Sequence, residues 1–97
     1  MEMLHREDFE SCINQAFTIH LQNHGIESQL IEVKALGQPY RDGAREPFSL
    51  LFEADVRYGL LNQGMYPIEN PALGEKTIFL VPVGEKGNRY QYEAIFN

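Results

Sequence analysis

Few side chains in this sequence have types and spacings that could do chemistry, and each has a plainer competing use. His20 and His24 stand four residues apart, a spacing that on a helix puts two imidazoles on one face and suits a metal ion. Their surroundings are not helical, however. Phe17-Thr18-Ile19-His20-Leu21-Gln22 alternates apolar and polar residues, as a strand does, and Asn23-His24-Gly25 is a turn signal. Without a third ligand the pattern predicts two solvated histidines, and no metal or other cofactor is expected. Cys12 would need an electropositive, accessible setting to act as a nucleophile. It lies on an apolar stripe beside Ile13, so a buried small hydrophobe is expected instead.

The one dense charged cluster in a loop is Arg41, Asp42, Arg45 and Glu46. Binding groups gather on loops, so Arg41 and Arg45, with Tyr40, are the candidate anchors for a small ligand; the plainer reading is a solvated loop. Tyr90 and Tyr92 could stack on bases or sugars, but their alternation favours packing on a strand face. Gly84-Glu85-Lys86-Gly87-Asn88 has two glycines, yet it matches no phosphate loop and precedes a strand, not a helix. It reads as a hairpin turn. Tyr58, Leu60 and Leu61 are apolar residues in what reads as a loop; exposed together, they would mark a partner-contact surface.

These groups must be positioned by a mostly extended chain. Residues 6–15 carry the one helical pattern: Phe9, Cys12, Ile13 and Ala16 fall at i, i+3, i+4 and i+7, with Glu7 and Asp8 in the first turn. The period then changes from 3.6 to 2. Runs at 17–22, 28–36 and 48–54 alternate, and residues 38–47 make a polar loop with two prolines. From Gly64 onward, three strand-like runs are separated by turns at Pro71-Ala72-Leu73-Gly74 and at 84–88. Short loops fold a strand back beside its predecessor, which predicts an antiparallel meander. Ile78-Phe79-Leu80-Val81 has no polar residue on either side and is expected to be covered on both faces.

The totals bound the rest. Ninety-seven residues with 43% hydrophobic and 11% aromatic composition are expected to form one domain over 1–97, folding without metal or disulfide help. One cysteine makes no internal bridge and suits a reducing compartment. Eight basic residues scattered among fourteen acidic ones, for a charge of −6, argue against nucleic acid and anionic membranes as partners. No signal-like start and no spanning run of ~20 apolar residues are visible, so a cytoplasmic location is expected.

Five phrases, Glu46-Pro47-Phe48-Ser49-Leu50-Leu51-Phe52, Gln63-Gly64-Met65-Tyr66, Asn70-Pro71-Ala72-Leu73-Gly74-Glu75, Phe79-Leu80-Val81-Pro82-Val83-Gly84 and Tyr92-Glu93-Ala94-Ile95-Phe96-Asn97, resemble a small bacterial domain family of unknown function. The resemblance covers nearly the whole chain and implies one compact domain, but no reaction, cofactor or substrate. Its shared positions are of the types that build a fold.

The expectation is therefore an α+β, mainly β fold: about six antiparallel strands in meander order, able to curl into a half-open barrel, with one short N-terminal helix. Function is expected to be that of a protein-interaction or structural module and not of an enzyme, with a protein partner or self-association. The alternative is a small-ligand-binding domain or enzyme with its site near the 38–47 loop.

Overall fold

A computed structural model describes residues 4–39, Arg41, Gly43 and 45–97. Among them are six strands, β1 (Ala16–His20), β2 (Gly25–Ala35), β3 (Phe48–Asp55), β4 (Gly64–Asn70), β5 (Gly74–Lys86) and β6 (Arg89–Phe96), with one helix, α1 (Arg6–Glu10), and a 3-10 turn at Val56–Tyr58. All pairings are antiparallel, and the sheet closes into a barrel in the order β1-β2-β3-β6-β5-β4. The barrel is thus two three-stranded meanders, β1–β3 and β4–β6, joined along β3–β6 and along β1–β4. The first seam is long, eight pairs from Phe48↔Phe96 to Asp55↔Arg89, and the second is short, Thr18↔Glu69 and Ile19↔Ile68. The sheet closes on itself, which leaves no free edge strand to template aggregation, although the short seam gives 64–67 of β4 no partner on β1.

Alternation decides what fills the barrel. Phe17 and Ile19 of β1, Ile26 and Leu30 of β2, Phe48, Leu50, Phe52 and Ala54 of β3, Ile68 of β4, Ile78 and Leu80 of β5, and Tyr92 and Ala94 of β6 are all buried. Every second residue points inward, which is the period the sequence carries. Two bulges adjust the register, one between Leu30 and Glu32 and one between Pro82 and Gly84. The second coincides with a residue that has no amide to give to the ladder.

One end of the barrel is closed by aromatic rings. Phe48 and Phe96 stack with centroids 4.8 Å apart, and Phe9 of α1 packs on them at 5.9 and 5.7 Å. The helix is shorter than its apolar stripe predicts. It stops at Glu10, and Phe9 and Cys12 are buried, but Ile13 is 38% exposed and Ala16 already belongs to β1. The cause is capture of the backbone by β2. Asn14 takes a positive φ of 72°, its amide donates to the Leu30 carbonyl at 2.6 Å, and the Leu30 amide donates to the Gln15 carbonyl at 3.2 Å. A side chain that tolerates the left-handed region makes this exit from the helix cheap. The other end of β3 runs into the 56–63 connection, whose Leu61 turns into the core.

Candidate interaction surface

A barrel has one interior, so the outward residues of every strand meet solvent unless something covers them, and α1 covers an end, not a wall. Ile78 and Leu80 of β5 are buried, but Phe79 between them is 47% exposed, which corrects the expectation that 78–81 is covered on both faces. Phe79 pairs across the ladder with Met65, itself 60% exposed. Val81 pairs with Glu93 of β6. Two residues beyond that pair, on the same sides of their strands, are Phe79 and Ile95, the latter 55% exposed. Met65, Phe79, Val81 and Ile95 therefore make an apolar stripe across the outer face of β4, β5 and β6. Val83, displaced by the bulge beside Pro82, is half exposed too. Glu93 and Glu53 border the stripe; Gln91 holds the Glu53 carboxylate at 2.8 Å.

The sequence-predicted contact residues are split by the fold. Leu60 is exposed, Tyr58 is half-buried under the Arg57 guanidinium (5.1 Å above the ring), and Leu61 is buried. The Leu61 amide donates to the Tyr92 hydroxyl at 2.9 Å. Burial holds the Tyr92 phenol above the usual tyrosine range, with the Leu61 hydrogen bond pulling the other way. Tyr92 thus faces the interior and offers no stacking platform.

Of the predicted ligand anchors, Arg45 is engaged by the backbone. Arg45 donates to the Asn97 carbonyl through Nε (3.0 Å) and Nη2 (2.8 Å) and to the Leu4 carbonyl through Nη1 (2.9 Å), while lying 5.4 Å from the Phe96 ring. Its donors tie two distant parts of the chain together. Arg41 is exposed, and Tyr40 lies outside the described residues, as does Asp42. Cys12 is buried, its Sγ 3.8 Å from the Asp8 carbonyl and 3.9 Å from Asn70 Oδ1. The 84–88 stretch is a hairpin end, with Lys86 opposite Arg89.

Two groupings were not legible beforehand. A groove of about 320 Å³ opens beside the β2–β3 wall, with Arg57 and Arg89 facing Glu27, Glu53 and Asp55. The Arg57 guanidinium donates to the Tyr58 hydroxyl at 3.2 Å, and that bond, with the charges of Tyr58 and Asp55, raises its pKa further. The second grouping is around Asn70, which is buried and fully bonded. Its Nδ2 donates to the Ala16 carbonyl (3.0 Å) and Gln15 Oε1 (3.2 Å), and its Oδ1 accepts from the amides of Ala72 (2.8 Å) and Leu73 (3.3 Å). One side chain thereby shapes the β4–β5 turn and ties it to β1.

A family model described as a domain of unknown function, DUF6916, matches residues 4–96. Comparison with curated proteins and with solved structures finds no match.

Proposed function

The chain belongs to the DUF6916 family of unknown function, and we propose that it is a non-enzymatic protein-interaction module whose working surface is the outer face of β4, β5 and β6. The observation that carries this reading is the Met65, Phe79, Val81 and Ile95 stripe. Barrel walls alternate apolar-in and polar-out when nothing docks on them, and contiguous exposed apolar area marks contact sites.

Charge selects the occupant. A second copy meeting this face about a two-fold axis would set Glu93 and Glu53 near their own copies, in molecules that each carry −6. A partner with an apolar patch rimmed by lysine or arginine has no such cost. The module is therefore a monomer that binds a different, basic-rimmed protein. The test is gel filtration of the chain, purified and in native lysate, as wild type and as Phe79→Asp. The expected result is a monomer when purified, a larger species in lysate, and loss of that species at high salt and in the variant. A purified dimer abolished by Phe79→Asp, or a lysate profile the variant does not change, overturns the reading.

A second reading rests on the groove between Arg57 and Arg89. Lined by both guanidiniums and by the carboxylates of Glu27, Glu53 and Asp55, it would take a small ligand carrying groups of both charges, in place of a site at the 38–47 loop whose Arg45 is occupied by backbone carbonyls. A metabolite thermal-shift screen, repeated on Arg89→Ala, tests it.

A further inference from the structure

We infer that His20, Glu69 and Glu75 form a binding site for a first-row divalent transition-metal ion on the outer wall of the barrel, where β1, β4 and β5 come together. The short β1–β4 seam that closes the sheet brings His20 to Glu69, with Nε2 2.9 Å from Oε1. Glu75 is the direct cross-strand partner of Glu69 in the β4–β5 ladder. One ligand atom from each of the three residues lies within 4.8 Å of the other two. No two of these residues are close in sequence at a recognisable metal spacing, which is why His20 lacked a third ligand until the barrel closed.

Two features favour a cation here over a plain surface cluster. Like charges directly opposite on a sheet repel, and Glu69 and Glu75 hold that position, with the His20 ring beside Glu69. An ion between the carboxylates converts the repulsion into coordination. The mixed imidazole and carboxylate set also selects the metal: carboxylates alone suit magnesium, calcium and manganese, whereas an imidazole nitrogen suits zinc, copper, iron or nickel. Zinc bonds to nitrogen and carboxylate oxygen are about 2.0–2.2 Å, so tetrahedral ligands sit about 3.4 Å apart. The exposed Glu75 side chain closes the remaining distance by turning about its free torsions. Water completes the shell, since all three ligands are at the surface.

The experiment is a calorimetric titration of the whole chain with zinc chloride, alongside His20→Ala, Glu75→Gln and the control His24→Ala. One ion per chain is expected. His20→Ala and Glu75→Gln should each weaken it at least tenfold, His24→Ala should leave it unchanged, and magnesium at the same concentration should give no heat. A cobalt-loaded sample should show a visible absorption band that His20→Ala removes. Glu69 and Glu75 are exposed and His20 is half-buried on the outer wall, and circular dichroism of each variant checks that it folds. No zinc binding, or binding that survives both substitutions, overturns the assignment.

Discussion

At the scale of single residues, the molecule relies on a few side chains with several partners each. Asn70 makes four hydrogen bonds from a buried position. Asn70→Ala would remove the side-chain partner of the Ala16 carbonyl and of the Ala72 amide, while the Leu73 amide keeps its bond to the residue-70 backbone carbonyl, and should cost about 2 kcal/mol. For a domain of this size that is a fall of roughly 8–16 °C in melting temperature, read by calorimetry. Gly74 at the end of that turn has φ 72°, so Gly74→Ala should also destabilise it. Tyr92 gives a pH dependence of definite sign. Its folded pKa lies above the ordinary tyrosine value of 10.0, so above that pH the unfolded chain loses the proton first and stability falls as pH rises. Below it the contribution is constant. Tyr92→Phe should flatten alkaline unfolding curves while lowering neutral stability by about 1 kcal/mol through the lost Leu61 bond. Relief of the Glu69 and Glu75 repulsion makes Glu75→Gln stabilising in metal-free protein, by about 0.5 kcal/mol.

At the scale of elements, α1 is a plug. Five residues cannot hold a helix by themselves; the Asp8 carboxylate accepts the His5 amide at 2.8 Å, and Phe9 sits on Phe48 and Phe96. Phe9→Ala should therefore cost about 3–5 kcal/mol by opening a cavity at the barrel end, and amide exchange should accelerate through 6–14 before it does in β3 and β6. The strands were readable in the sequence because every second inward residue is apolar, most clearly along Phe48-Leu50-Phe52-Ala54 and Tyr90-Tyr92-Ala94. The length of the helix was not. Cys12, Ile13 and Ala16 fit a helical stripe, and only the bonds from the Asn14 amide to the Leu30 carbonyl and from the Leu30 amide back to the Gln15 carbonyl decide that the backbone leaves it. Periodicity carries no information on such pairings.

At the scale of the whole molecule, local pattern predicts hairpins and the two turns of the last third, so both three-stranded units were visible. Their joining was not, because β3–β6 and β1–β4 are contacts across 41 and 50 residues or so of chain with no local signature. The unread seams explain the functional surprises. Closure gives β5 one inner and one outer face, so Phe79 stays outside beside its hairpin partner Met65, and it brings Glu69 to His20. It also separates the loads on the two sides of a strand: Phe79→Asp should change stability by no more than about 0.5 kcal/mol, whereas Leu80→Ala, one residue on, should cost about 2–5 kcal/mol. Urea midpoints for the pair would expose a wrong register at once.

The most direct test of the docking face is a photo-crosslinking amino acid placed in turn at Phe79, Ile95 and, on β2 toward the other end of the barrel, Glu27, each expressed in native cells. The account predicts one dominant adduct at positions 79 and 95, formed with the same protein, weakened by salt, with the attached peptide drawn from an apolar patch bordered by lysine or arginine, and no adduct at 27. Equal labelling at all three positions, or adducts only between copies of this chain, would contradict it.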